Sequence, residues 1–188
     1  MWKQLNRVCK INCPMIFTTT TKYGVELINS NPKNFRYDLI WVKSAPAGFL
    51  NAKKMPMRKH EMIYVFYRKL PFYNIEDNHT HKFLKQSKNV RNESVYNFKM
   101  ENEISHKYDP PLPTSLLEIK SEKGKHQTQK PTALMEWILK YYSKENDIVL
   151  DCCMGSGSMG VACKNLKRNF IGIELDDEIF KNAEERLK

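Results

Sequence analysis

The stretch from Asp147 to Glu174, DIVLDCCMGSGSMGVACKNLKRNFIGIE, constrains the fold of this 188-residue chain more than any other. An apolar run, Ile148-Val149-Leu150, leads to an acid, Asp151, and then to a glycine-rich turn, Gly155-Ser156-Gly157. Met159, Ala162, Cys163 and Leu166 follow at helical spacing. A second apolar run, Phe170-Ile171-Gly172-Ile173, stops at Glu174. Strand, tight turn, helix and strand in that order predict a βαβ unit with a carboxylate at the carboxyl end of each strand. Ligands of open α/β sheets bind at those ends.

Gly155, Gly157 and Gly160 satisfy GxGxxG, and Glu174 stands at roughly the spacing of a ribose-binding acid. Taken alone, that pattern fits a nicotinamide or flavin site. Two details oppose it. Asp151-Cys152-Cys153-Met154 separate the strand from the first glycine, and an anion at the strand tip repels a pyrophosphate that would rest on the helix amino terminus. The same carboxylate favours a cationic ligand, and S-adenosylmethionine, with its ammonium and sulfonium, is one. Glu174 remains available to ribose hydroxyls.

The formal charge of +10 gives the chain a positive field, for which phosphate backbones are the commonest partner. The cations cluster: Lys53, Lys54, Arg58, Lys59, Arg68 and Lys69 fall close together, with Lys82, Lys85, Lys88 and Arg91 further on. A hydrophobic content of 41% suffices for one main domain with an insertion. No run is long and apolar enough to cross a bilayer, and the charged amino terminus is no secretory signal, so the cytoplasm is the expected compartment. Five cysteines, two of them adjacent and none in paired CxxC sets, predict reduced thiols and no metal site.

In chain order, the spacing predicts a helix over residues 2–10, a strand at Met15–Thr19, a short helix around Gly24–Asn29 and a turn at Asn31–Asn34. Tyr37–Val42 and Glu61–Tyr67 read as strands joined by a basic loop, KSAPAGFLNAKKMPMRKHE, suited to DNA contact. From Pro71 to about Pro113 the composition turns polar and aperiodic, predicting an irregular insert in which Phe72, Tyr73, Phe83, Tyr96, Phe98 and Tyr108 alternate with bases. After His126-Gln127-Thr128-Gln129-Lys130-Pro131 comes a helix with Leu134, Ile138 and Tyr141 on one face. A last helix, capped at Asp176-Asp177, turns Phe180, Ala183 and Leu187 to the core.

HQTQKP (His126–Pro131), DCCMGSGSMG (Asp151–Gly160) and FIGIEL (Phe170–Leu175) together resemble the cofactor half of the β-type amino-methylating DNA methyltransferases, the N6-adenine and N4-cytosine family. Trp41–Phe66 is similar to that family's middle portion. The resemblance implies an α/β, Rossmann-like S-adenosylmethionine-dependent methyltransferase fold. It implies a middle part over residues 1–70 with a DNA-contacting loop (Lys53, Lys54, Arg58, Lys59), a target-recognition insert over 71–113 and a cofactor part over 114–188. It implies S-adenosylmethionine contacts from Thr128, Lys130, Pro131, Asp151, Cys152, Gly155, Ser156, Gly157, Ser158 and Glu174, and double-stranded DNA as partner. Cys152-Cys153 depart from the family's aromatic or proline, yet small residues still fit beside an adenosine. Overall resemblance favours adenine N6 over cytosine N4.

The family's catalytic motif, [DNS]-P-P-[YFW], accepts hydrogen bonds from the target amino group and stacks on a flipped base. In the β-type order it precedes Trp2–Thr19, so this sequence begins just after the point where the motif is expected. Asp109-Pro110-Pro111-Leu112 is a poor substitute: Leu112 cannot stack, and the position is that of the insert. The fold is therefore expected to be incomplete, with an apolar strand edge exposed. Two alternatives for the catalytic strand stay open: an interrupted gene, or a second chain that supplies it. Two other functions also stay open: a non-catalytic DNA-binding protein and a fragment of a nicotinamide-dependent oxidoreductase.

Overall fold

The computed structural model describes residues 1–83, 106–122 and 129–188. Within them the chain forms α1 (Trp2–Val8), β1 (Met15–Thr19), α2 (Thr21–Ser30), β2 (Phe35–Ala47), β3 (Arg58–Phe66), β4 (Thr80–Phe83), β5 (His106–Asp109) and β6 (Leu116–Glu118). It continues with α3 (Thr132–Tyr142), β7 (Ile148–Asp151), α4 (Ser158–Asn165), β8 (Asn169–Gly172) and α5 (Asp177–Leu187). One compact unit comprises Met1–Tyr73 with Thr114–Lys188, and a second comprises Asn74–Pro113.

In the larger unit, β7, α4 and β8 form the expected βαβ unit, with β7 and β8 parallel and Asp151 opposite Gly172. The other sheet has the order β1-β3-β2-β6. There the outcome differs from a simple parallel sheet: β3 is antiparallel to both β1 and β2, and only β6 runs parallel to β2. The connection from β2 to β3 is too short for a crossover, so the pair closes as an antiparallel hairpin. The basic loop is correspondingly shorter than expected, because β2 runs on to Ala47 and β3 starts at Arg58. Pro46, which has no N–H to donate, falls in the irregularity between the Val42–His60 and Ala47–Arg58 pairs.

The aromatic content of these strands becomes core. Met15, Leu27, Tyr64 and Phe66 are buried together, with Trp2, Leu5, Phe17 and Phe35 packed around them. Phe66 meets the edges of Phe17 and Phe35 at centroid distances of 5.7 and 5.4 Å. Each such side chain contributes about 1.5–3 kcal/mol through burial. On α3, Leu134, Ile138 and Tyr141 are buried with Met135, Leu139 and Tyr142; this helix packs on α4, where Ala162 and Cys163 are buried. The α5 cap is as expected, since the Asp176 carboxylate accepts from the N–H groups of Glu178 and Ile179. Phe180, however, is 40% exposed, and Ala183 is the residue of α5 that is buried.

Among the described residues, β1 pairs only with β3 and β7 only with β8, so each keeps one open edge. Ile148 of β7 and Ile171 of β8 are exposed. In the smaller unit β4 and β5 form an antiparallel hairpin, so the described part of the expected irregular insert includes regular structure. Lys85, Lys88, Arg91, Tyr96 and Phe98 lie outside the described residues, as do His126, Gln127 and Thr128.

Candidate functional site

Asp151 ends β7, and one of its carboxylate oxygens accepts the N–H of Cys153 at 3.1 Å. Burial pushes the Asp151 carboxyl above its ordinary range; the Cys153 N–H partly offsets this, and the nearby charge of Glu174 adds to the rise. A desolvated carboxylate at a strand tip is costly unless a cation neutralises it.

The glycine turn begins beside it. Gly155 (φ +52°) and Gly157 (φ +75°) are both left-handed, a conformation that other residues adopt only with strain. A Cβ on Gly157 would stand 3.3 Å from that of Ala183, whereas Gly155 faces open space. Glu174, beyond β8, clamps this turn: one oxygen accepts the Gly155 N–H at 2.9 Å, the other those of Leu175 at 2.9 Å and Asp176 at 3.2 Å. The Asp176 and Gly155 N–H groups hold its carboxyl below the usual range. Cys152 and Cys153 are exposed on the approach to the turn.

A second set of contacts ties the turn to the rest of the unit. Ser158, the first residue of α4, donates its hydroxyl to the Lys130 carbonyl at 2.8 Å. Pro131 is fully buried and, extended at φ −64° and ψ 139°, is the N-cap that precedes α3. The Lys130 ammonium turns to Glu61 on β3 at 3.0 Å, and Glu61 also holds Lys43 of β2. Burial raises the Glu61 carboxyl, but hydrogen bonds and charge from the two lysines outweigh it and bring it below the ordinary range. From α5, Arg186 donates to the Ser156 carbonyl and the Ser158 hydroxyl at 3.1 Å each, and to the Thr132 hydroxyl at 3.1 Å. Sequence reasoning missed Glu61 and Arg186. Arg186 had a signal, for it follows Ala183 by three positions and shares the helix face that turns inward. Glu61 had a weaker one, as the lone acid in a basic segment.

Nine of the ten residues expected at the cofactor site fall in the described chain. Asp151, Cys152, Gly155, Ser156, Gly157, Ser158 and Glu174 come together at the carboxyl ends of β7 and β8, and Lys130 and Pro131 join them through Ser158. Thr128 lies outside the described residues. Lys53, Lys54, Arg58 and Lys59 gather at the β2–β3 hairpin, where Arg58 also donates to the Thr21 hydroxyl at 3.0 Å. In the smaller unit, Asp109 pairs with Lys82 at 3.3 Å, both side chains being exposed, and the Pro110 carbonyl is 2.8 Å from Nδ1 of His79. Among the described residues no group of three or more His, Cys, Asp or Glu could hold a metal, and no helix is long and apolar enough to cross a membrane.

The DNA methylase profile of the N6/N4 type matches residues 1–185. The type II methyltransferase M2.LlaDCHI of Lactococcus lactis subsp. cremoris is 44% identical over 95 residues, covering 49% of this chain and 35% of that protein. M2.DpnII of Streptococcus pneumoniae is 43% identical over 96 residues, covering 50% of this chain and 36% of that protein. The matches thus span little more than a third of these relatives. The M1.HpyAVI–SAM complex shares 29% identity and a TM-score of 0.66 over 100% of this chain and 82% of its own. The cytosine-N4-specific PvuII DNA methyltransferase, at 14% identity and a TM-score of 0.68 over 95% of this chain and 65% of its own, shares the fold. A strand-tip acid beside a glycine turn, within a profile match that runs through nearly the whole chain, places this protein in the N6/N4 family of amino-methylating DNA methylases.

Proposed function

We propose that this chain is the cofactor-binding and DNA-contacting part of an S-adenosylmethionine-dependent DNA amino-methyltransferase, acting on adenine N6 rather than cytosine N4. The observation that carries the reading is the desolvated Asp151 carboxylate at the tip of β7, next to the open space over Gly155. Such a strand tip suits a ligand bearing positive charge and rejects a pyrophosphate. The residues present therefore fit S-adenosylmethionine, which supplies an electrophilic methyl group when bound. Asp151 would hold its cationic end, Glu174 a ribose hydroxyl, and Cys152, Ser156 and Ser158 the walls. Glu174 has one acceptor site left for a hydroxyl, on the oxygen that clamps Gly155, because each carboxylate oxygen offers two lone pairs and the other oxygen already accepts two N–H groups.

Duplex DNA is the proposed substrate, with Lys53, Lys54, Arg58 and Lys59 on its phosphates and the unit Asn74–Pro113 as target-recognition insert. The sequence carries no [DNS]-P-P-[YFW] motif, and β1 and β7 both keep open edges among the described residues. These two facts support a catalytic strand that joins the fold at one of those open edges and is not among the described strands. The proposed compartment is the cytoplasm, where duplex DNA and the methyl donor meet.

Calorimetry with S-adenosylmethionine, paired with a radiolabelled methyl-transfer assay on duplex DNA, tests the reading. Cofactor binding with little or no transfer by the chain alone is expected. Absence of binding would remove the cofactor assignment, and robust transfer by the chain alone would overturn the need for a further catalytic strand. Salt-dependent DNA binding indifferent to S-adenosylmethionine would favour a non-catalytic DNA-binding protein.

A further inference from the structure

The tip of the β2–β3 hairpin, residues 48–57, exposes four large apolar side chains: Phe49 (81%), Leu50 (96%), Met55 (60%) and Met57 (41%). Exposed apolar residues scattered singly need no explanation, but four at one hairpin tip form a surface. It is a built surface. Gly48 adopts φ +94°, and a single 3₁₀ turn at Phe49–Asn51 follows. Backbone bonds from Asn51 to Gly48, Ala52 to Phe49, Lys54 to Asn51 and Met55 to Asn51, all of 2.9 to 3.0 Å, then fold the tip on itself. Phe49 and Leu50 are thus carried outward on an ordered turn, so little backbone entropy remains to be lost when they engage a partner.

The charge around them selects that partner. No acid occurs between Asp38 and Glu61, while Lys43, Lys53, Lys54, Arg58 and Lys59 all fall in that interval. Lys53, Lys54 and Lys59 form no ion pair among the described residues. The tip lies beyond the carboxyl end of β2, and the same hairpin reaches the glycine turn through Glu61, Lys130 and Ser158. An apolar wedge flanked by unpaired cations matches the way proteins enter a duplex, cations on phosphates and apolar side chains between base steps.

We infer that Phe49 and Leu50 are a wedge that enters duplex DNA and fills the stacking space left by a displaced base, with Lys53, Lys54 and Lys59 fixing the tip on the flanking phosphates. The inference rests on the reading of DNA as substrate and adds specificity-determining residues to it. Displacing a base costs unstacking energy that an abasic site does not require. The wedge therefore favours a duplex whose hole is already open.

Fluorescence anisotropy with a labelled duplex, intact or carrying one central abasic site, measures this without knowledge of a recognition sequence. The wild-type chain is expected to prefer the abasic duplex by about tenfold. F49A/L50A should lose most of that preference and keep its salt slope, and its melting temperature should be unchanged because both side chains are exposed. K53A/K54A should weaken binding to both duplexes alike and lower the salt slope by about two. A preference retained in F49A/L50A, or absent from the wild type, overturns the wedge. Absence of salt-dependent DNA binding overturns the reading beneath it instead. Sedimentation showing that F49A/L50A dissolves a dimer, or loss of binding to phosphatidylserine vesicles, with the duplex preference intact, would reassign the tip to a second copy or to a lipid surface.

Discussion

Lys130 and Glu61, one in the segment that opens α3 and the other on β3, meet at 3.0 Å and join the hairpin sheet to the glycine turn. The same carboxylate holds Lys43, and the Lys130 carbonyl takes the hydroxyl of Ser158. One acid therefore ties the base of the β2–β3 hairpin to the segment that meets the glycine turn.

Glu61→Gln leaves two partly buried ammonium groups without their counter-ion, and a loss of about 1–3 kcal/mol is expected, between the values for exposed and fully buried pairs. The Glu61 carboxyl is held below its ordinary range, so its contribution is complete above that range and vanishes as pH falls through the lowered value. Urea unfolding of both proteins should show a gap at neutral pH that closes only in acid.

Asp151→Asn should separate stability from binding. Burial raises the Asp151 carboxyl, so the ionised form costs the folded state stability at neutral pH, and that cost is relieved as pH falls through the raised value. The variant keeps an acceptor for the Cys153 N–H. Its melting temperature should equal or exceed that of the wild type at neutral pH, while affinity for S-adenosylmethionine falls roughly ten- to a hundredfold. Wild-type affinity should decline on acidification earlier than an ordinary carboxylate would dictate, and the variant's should stay flat.

Arg186→Met removes the donors that hold the Ser156 carbonyl and the Ser158 and Thr132 hydroxyls. A loss of about 1.5–3 kcal/mol is expected for these charge-assisted bonds. Amide hydrogen exchange should accelerate at residues 155–158 more than on α3, since the turn has fewer other supports.

Gly24→Ala sets two effects against each other. Alanine gains up to about 1 kcal/mol in a helix over glycine. Yet a Cβ at Gly24 would come within 2.1 Å of the buried Tyr64 ring, so overpacking of about 1–3 kcal/mol should win. Tyr64→Leu in the same chain should restore the helix gain, which thermal unfolding of the double variant would reveal.

The hairpin shows where reading the sequence reached its limit. Alternating aromatic and β-branched residues marked both strands, but the place where β2 ends depends on cross-strand pairing that tolerates Pro46 at an irregularity. Phe180 follows the helical period of Ala183 and is still 40% exposed, because period places a residue on a helix face but does not say how far the neighbouring elements extend along it.

What the sequence determined by itself is local: the strand, glycine turn, helix and strand that bring Asp151 and Glu174 to neighbouring strand ends, and the Asp176 cap of α5. Those outcomes depend on side-chain period and on backbone freedom at Gly155 and Gly157, properties of residues a few positions apart. Only the tertiary structure decided that Glu61 faces Lys130, that Arg186 reaches Ser156 and Ser158, and that β3 runs against its neighbours. Such pairings join residues far apart in the chain, and which long side chain meets which is settled by the path of the backbone, to which local periodicity is blind.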